Sequence, residues 1–190
     1  SSAALEVALA LALGAPQSPL TLARICQRAE HRGPQVPCGL MDQLTSAAGV
    51  EGSALLIDFT TCTWTTVALP ASLAVHVVHS GVHRRLDSSA YADRAEECRR
   101  AAGLIGPLAI ASPGDVSRIT DPVARRRARH VVTENMRVRA MAEALRSADL
   151  RAAGALLVES HASLRDDFEV STPELDELVE RLCATRGVYG

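Results

Sequence analysis

An α+β chain, with a β-rich first third and a helical remainder, is predicted from three observations. Residues 53–80 hold the β-rich runs "SALLIDF", "TWTTVAL" and "LAVHVVHS". From Ser88 onward the apolar residues recur at helical spacing behind serine, aspartate and proline start signals. No internal repeat or low-complexity tract interrupts the 190 residues, which are enough for one full domain or parts of two.

Taken in order, Ser2 is placed to cap a helix running to about Leu13 and ended by Gly14 and Pro16. A second helix covers roughly Thr21 to His31 and stops at the turn-rich "RGPQVP". "CGLMDQLTSAAG" reads as a short helix closed by Gly49, and the first two β runs read as a hairpin across a Thr/Cys turn. "LAVHVVHS" is expected to be a buried strand. Four helices follow: "SSAYADRAEECRRAAG", "DPVARRRARHVVTENMRVRAMAEALRS", "DLRAAGALLVESHASLRDDF" and "STPELDELVERLCATRG". In the second of them Pro122 lies near the start, and Val131, Val132, Met136, Val138, Met141 and Leu145 form the expected apolar stripe. In the last, Ser171 and Glu174 stand at capping-box spacing.

The bulk numbers exclude several classes. With 47% hydrophobic and 22% charged residues the chain is built to fold, and a net charge of −2 gives no general attraction to nucleic acid or to an anionic membrane. The opening "SSAALEVALALALGAP" has an apolar run like that of a signal peptide, but it lacks a basic leader and Glu6 interrupts it. No stretch approaches the roughly 18–20 apolar residues of a membrane span. All 20 basic residues are arginine, so no mechanism needing a lysine resides here. Five cysteines (26, 38, 62, 98 and 183), widely spaced and without a CxxC pair, fit a reduced, cytoplasmic setting. The chain opens on two serines without an initiator methionine, as a piece of something longer would.

Several residues invite a chemical reading beside a plainer one. Ser1 and Ser2 precede an alanine-rich helix, where amides and dipole favour phosphate and a hydroxyl can hold Mg²⁺; ordinary capping is the alternative. Glu30, beside His31, is either a hard-cation ligand or a solvated glutamate. His76, His79 and His83 have metal-like spacing, but 76 and 79 would face opposite sides of a strand, so a structural or surface role is expected. "RRRAR" at 125–129 is read as a solvated face with ion pairs. Asp42, in "VPCGLMDQLTSAAG", reads as a buried carboxylate, which must be paired, hydrogen-bonded or kept for chemistry.

The order of "SSAALE", "AEH", "PCGLMDQ", "ALLID", "SSAYADRAEEC", "RARHVV", "ESHASLRDDFEVSTPELDELVE" and "GVYG" resembles the galactokinases of the GHMP sugar-kinase family over essentially the whole chain. "CGLMDQ" and "SHASLRDDFEVSTPELD" are the specific parts, whereas "SSAA" is shared by many GHMP kinases. The resemblance implies a partial two-lobed GHMP fold. Residues 1–70 would be the latter part of the N-terminal, ATP-binding domain, and 71–190 the mostly helical first part of the C-terminal domain.

It further implies ATP and Mg²⁺ as cofactors and galactose as the sugar. Ser1 and Ser2 would close the phosphate loop, with Ser2 and Glu30 holding the metal. Gly39, Asp42 and Tyr91 would contact the sugar, and Asp42 would be the catalytic base, kept ionised by an arginine of the family's first motif. The family carries a basic residue after "NSNV", where this chain has His83 followed by Arg84. The other readings are a related sugar 1-kinase acting on N-acetylgalactosamine or arabinose, a catalytically silent sugar sensor, and a truncated product. The full-length protein is expected to be a cytoplasmic monomer binding no nucleic acid or membrane, and residues 1–190 alone are expected to be inactive.

Overall fold

The computed structural model describes residues 2–15, 18–33, 38–81 and 88–190; of Ser2 and of residues 88–91 it describes the backbone only. Ser1, Pro16, most of "RGPQVP", His83 and Arg84 lie outside the described residues. The chain divides into two compact units, Ser1–Ala68 and Leu69–Gly190.

In the first unit, α1 (Ser2–Ala12) and α2 (Pro19–Arg32) pack on each other and on α3 (Met41–Ala48). α1 ends where Gly14 takes φ +80°, a left-handed conformation that glycine adopts without a Cβ penalty. Val7, Leu22 and Cys26 form the buried centre, with Ala10, Ala15 and Ala47 against it. The hairpin follows as expected: β1 (Ser53–Asp58) pairs antiparallel with β2 (Thr63–Ala68), Ile57 opposite Trp64. Its turn is set locally, because Asp58 accepts the Thr60 N–H at 2.8 Å and Cys62 adopts φ +54°. Arg24 of α2 reaches the Cys62 sulfur at 3.6 Å and so touches the hairpin turn.

"LAVHVVHS" is not a strand. It runs outside any ladder, and Val77 is 96% exposed. A strand exists only through a hydrogen-bonded neighbour, and the two-stranded sheet of the described residues offers this segment none. His76 is exposed, and His79 accepts the Gly81 N–H at 2.9 Å.

The second unit is helical: α4 (Ser88–Ile105), α5 (Pro113–Ser117), α6 (Pro122–Arg146), α7 (Leu150–Asp166) and α8 (Pro173–Cys183). Side chains fix the starts. Ser112 and Asp115 form a reciprocal capping box on α5, Asp121 accepts from Val123 and Ala124 on α6, and Asp149 accepts from Ala152 on α7. The box expected at Ser171 does not form, and a simple cap lies one residue later. Pro173 at the first helical position holds Thr172 extended, so Thr172 caps Leu175, and Ser171 donates to Asp176 instead.

The expected stripe on α6 is only partly buried. Val132 lies inside, but Met136 is 54% exposed and Val138 is also outward. The inner face consists instead of Ala124, Ala128, Ala142 and Ala144, small residues that let α4 and α7 come close. Ala101, Leu108, Val116, Ile119, Ala124, Ala128 and Val132 form the core.

Arg127 departs most from the solvated face expected of "RRRAR". It is 1% exposed. Its guanidinium donates to Glu97 of α4 at 2.7 Å, to the Asp167 carbonyl at 2.5 Å and to Glu169 at 2.5 Å. Its neighbours do make the expected ion pairs, Arg126 with Glu169 and Arg129 with Asp167. Burial opposes the Glu97 charge, yet the bonds from Arg127 and Arg94 hold its carboxyl below the ordinary value. Arg127→Ala leaves Glu97 to Arg94 and Glu169 to Arg126 but takes the donor from the Asp167 carbonyl, and it should lower the unfolding free energy in denaturant by about 1–3 kcal/mol. Arg127→Lys should rescue only part, since an ammonium cannot reach three separated acceptors as a planar fork does.

His130, also buried, bonds Ser163 Oγ through Nδ1 at 2.9 Å and stacks on Phe168 with centroids 4.4 Å apart. Burial lowers its pKa below the ordinary 6.5; Arg137 and Arg127 lower it too, while Glu134 and Asp167 oppose them. The folded state therefore refuses a proton that the unfolded chain accepts, so this stability is present above pH 6.5 and is lost as pH falls through the lowered value. His130→Phe should flatten the fall of stability between about pH 7 and pH 5, measured by denaturant unfolding at each pH.

Candidate active site

The carboxylate of Glu30, in the last turn of α2, is 9% exposed. Burying it requires donors, and these come from the next stretch of chain. Cys38 Sγ donates to Oε2 at 3.0 Å and Gln43 Nε2 donates to the same oxygen at 2.5 Å. The main chain at Cys38 is fastened back onto α2, because its carbonyl accepts from Gln27 Nε2 at 3.3 Å and from His31 Nε2 at 2.9 Å. That bond makes Nε2 the protonated nitrogen of His31.

This fastening sets how α3 faces. Gln43 and Leu44 are 1% and 0% exposed, turned inward toward α2. Successive helical residues are rotated by about 100°, so with Gln43 inward its neighbour Asp42 points out. Asp42 is exposed, not buried as the sequence suggested, and it lies in the first turn of α3, where the helix dipole favours a carboxylate. Gly39 is exposed as well, with nothing within 4 Å of where a Cβ would stand.

The structure thus brings Glu30 together with Cys38 and Gln43 and presents Gly39 and Asp42 on an open surface next along the chain. Ser2 opens α1, which packs on both α2 and α3. Tyr91 belongs to α4, in the second unit. Sequence reasoning assigned no role to Cys38 or Gln43. Both stand inside the quoted "CGLMDQ", but only folding reveals that they turn toward a carboxylate 8 and 13 residues earlier.

Mg²⁺ was tested against these groups by the chemistry of the donors. Glu30 offers hard carboxylate oxygen, and the adjacent Gln43 Oε1 is buried with no hydrogen-bond partner among the described residues. An oxygen acceptor left over in a buried place beside a carboxylate suits a hard cation or its hydrating water. No cluster of three or more His, Cys, Asp or Glu gathers among the described residues, and Mg²⁺ needs none, since substrate phosphates and water complete its shell. The residues fit.

Comparison with known proteins finds relatives along the whole chain. Residues 1–50 match the family described as GHMP kinases N terminal domain. Over 100% of its length the chain is 46% identical to the galactokinase of Bos taurus and 45% identical to that of Homo sapiens. It covers 51% of each, so the chain spans about half the length of the curated relatives it matches. The crystal structure of Lactococcus lactis galactokinase complexed with galactose superimposes with a TM-score of 0.88 at 30% identity, covering 100% of this chain and 53% of that one. Residues 1–50 carry the likeness to the GHMP kinases, and the chain as a whole is similar to galactokinases. The predicted α+β class with a partial GHMP fold holds.

The bonding at Cys38 can be checked directly. Burial first, and then donation to Glu30, push its thiol up to about 11, so almost no thiolate exists at neutral pH. In metal-free buffer at pH 7.5, iodoacetamide should label the exposed Cys183 far ahead of Cys38, as read by peptide mass spectrometry. Equal labelling rates would mean that the bond to Glu30 is absent.

Proposed function

We propose that this chain contributes the base, the metal-binding carboxylate and part of the sugar contacts of a galactokinase, which phosphorylates the anomeric hydroxyl of galactose from ATP to give galactose 1-phosphate. The observation that carries the reading is the 45–46% identity to galactokinases across all of the chain, with "CGLMDQ" in place. The names of these relatives favour galactose over N-acetylgalactosamine or arabinose, and turnover over a silent sensor.

In this reading the Asp42 carboxylate accepts the proton of the attacking hydroxyl. A carboxylate is a weak base toward a sugar hydroxyl, so the transfer falls late, when the attacking oxygen has become acidic. The outward position of Asp42 suits that role, because a base must meet a substrate arriving from solvent. Gly39, with open space over it, and Tyr91 complete the sugar contacts proposed for this chain. Ser1 and Ser2 bind the triphosphate at the start of α1, and Ser2 and Glu30 hold Mg²⁺. When bound, the metal neutralises charge on the transferring phosphate.

We assign residues 1–70 to the latter part of the N-terminal domain and 71–190 to the first part of the C-terminal domain. The family match to residues 1–50 and the division of the chain after Ala68 support that assignment. The five free thiols suit a cytoplasmic setting, and we propose a monomer for the full-length protein; among the described residues no helix is long and apolar enough to cross a membrane.

The test is Asp42→Asn in the full-length protein, assayed by coupled ADP release with galactose. Turnover should fall at least about 10²-fold, the scale of a lost general base, while calorimetry still detects galactose binding. Retention of more than about a tenth of wild-type turnover would remove Asp42 from the role of base.

A further inference from the structure

Two donors from separate points of the chain converge on a single oxygen of Glu30. Gln43 Nε2 lies 2.5 Å from Oε2 and Cys38 Sγ 3.0 Å from it, and the Gln43 amide also approaches that sulfur at 3.7 Å. Gln43 is 1% exposed, so solvent cannot replace its bond. Donation onto one oxygen fixes the rotation of a carboxylate about its last side-chain bond, which a glutamate otherwise leaves broad. A ligand to Mg²⁺ gains from that restriction, since the cation demands near-octahedral geometry and tolerates little misplacement. Hydrogen-bonding partners behind a metal ligand commonly change affinity by about 10–100-fold when removed.

We infer that Gln43 is a positioning residue for the metal: with Cys38 as a second donor, it holds the Glu30 carboxylate in the orientation that takes Mg²⁺. The inference rests on the reading of Glu30 as a metal ligand, and it concerns binding, not proton transfer. Through its Nε2 donor, Gln43 reaches the metal by way of Glu30. Its neighbour Asp42 faces away from it on α3.

The experiment measures Mn²⁺ binding to the full-length protein with ADP present, by the electron paramagnetic resonance of free Mn²⁺, and galactose binding by calorimetry. Gln43→Met keeps the length and volume of the side chain and removes its donor. It should weaken Mn²⁺ about tenfold and leave galactose affinity within about twofold of wild type. Glu30→Ala should weaken Mn²⁺ at least as much, and the double variant should lose nothing beyond Glu30→Ala.

Full Mn²⁺ affinity in Gln43→Met beside a loss in Glu30→Ala would overturn the inference and leave the metal reading standing. An unchanged Glu30→Ala would overturn both. An equal further loss when Gln43→Met is added to Glu30→Ala would show that Gln43 does not act through Glu30, and would also overturn it. Should Gln43→Met fail to fold by circular dichroism, Cys38→Ala and Cys38→Ser decide the matter. The first should weaken Mn²⁺ several-fold and the second, which keeps a donor, should restore it; Cys38→Ala with wild-type affinity would overturn the inference.

Discussion

A carboxylate buried at the end of α2 constrains everything around it. A carboxyl group taken out of water requires hydrogen-bonding partners, and the residues after the α2–α3 connection fold back and supply them to Glu30. Cys38 is tied to α2 through both its side chain and its carbonyl, and α3 begins three residues later. Gln43 must point inward, and the pitch of a helix then turns Asp42 outward. One buried acidic side chain thus sets its neighbour in the open, and the two acidic residues of the site differ because of where α3 is pinned.

The second unit solves a different problem with the same means. Its helices approach closely on alanine faces, which bury little apolar area per residue, and the buried polar groups Arg127, His130, Ser163 and Asp167 make up part of the join. Arginine is the cation present throughout, and in this interior position its geometry matters: three donors directed at three acceptors on α4 and the 167–169 loop.

Local signals were legible in the sequence, and non-local ones were not. The hairpin, the ends of α1 and α3 and the Pro122 start of α6 depend on residues a few positions apart, and they appear as read, whereas α2 begins earlier, at Pro19, and the short α5 was not read. "LAVHVVHS" carries the composition of a strand, but a strand requires a partner, which composition does not name. The α6 stripe was misjudged because apolar residues were counted, whereas close packing selected alanines and one arginine. Asp42 was identified as chemically unusual, yet its exposure depends on Gln43, whose orientation depends on a glutamate thirteen residues away. The resemblance to galactokinases supplied roles that spacing alone did not, and the supporting donors Cys38 and Gln43 were hidden inside the same motif.

The three-way bonding of Arg127 also bears on how the second unit comes apart. A planar guanidinium in one rotamer either meets all three acceptors or leaves buried charges unmatched, so half-made versions of the joint are disfavoured. α4, α6 and the 167–169 loop should then open as one cooperative block, with their slowest-exchanging amides sharing a single opening free energy. The 73–80 segment, in no ladder among the described residues, should exchange independently of that block. Order in this chain is partitioned by where its charges are hidden.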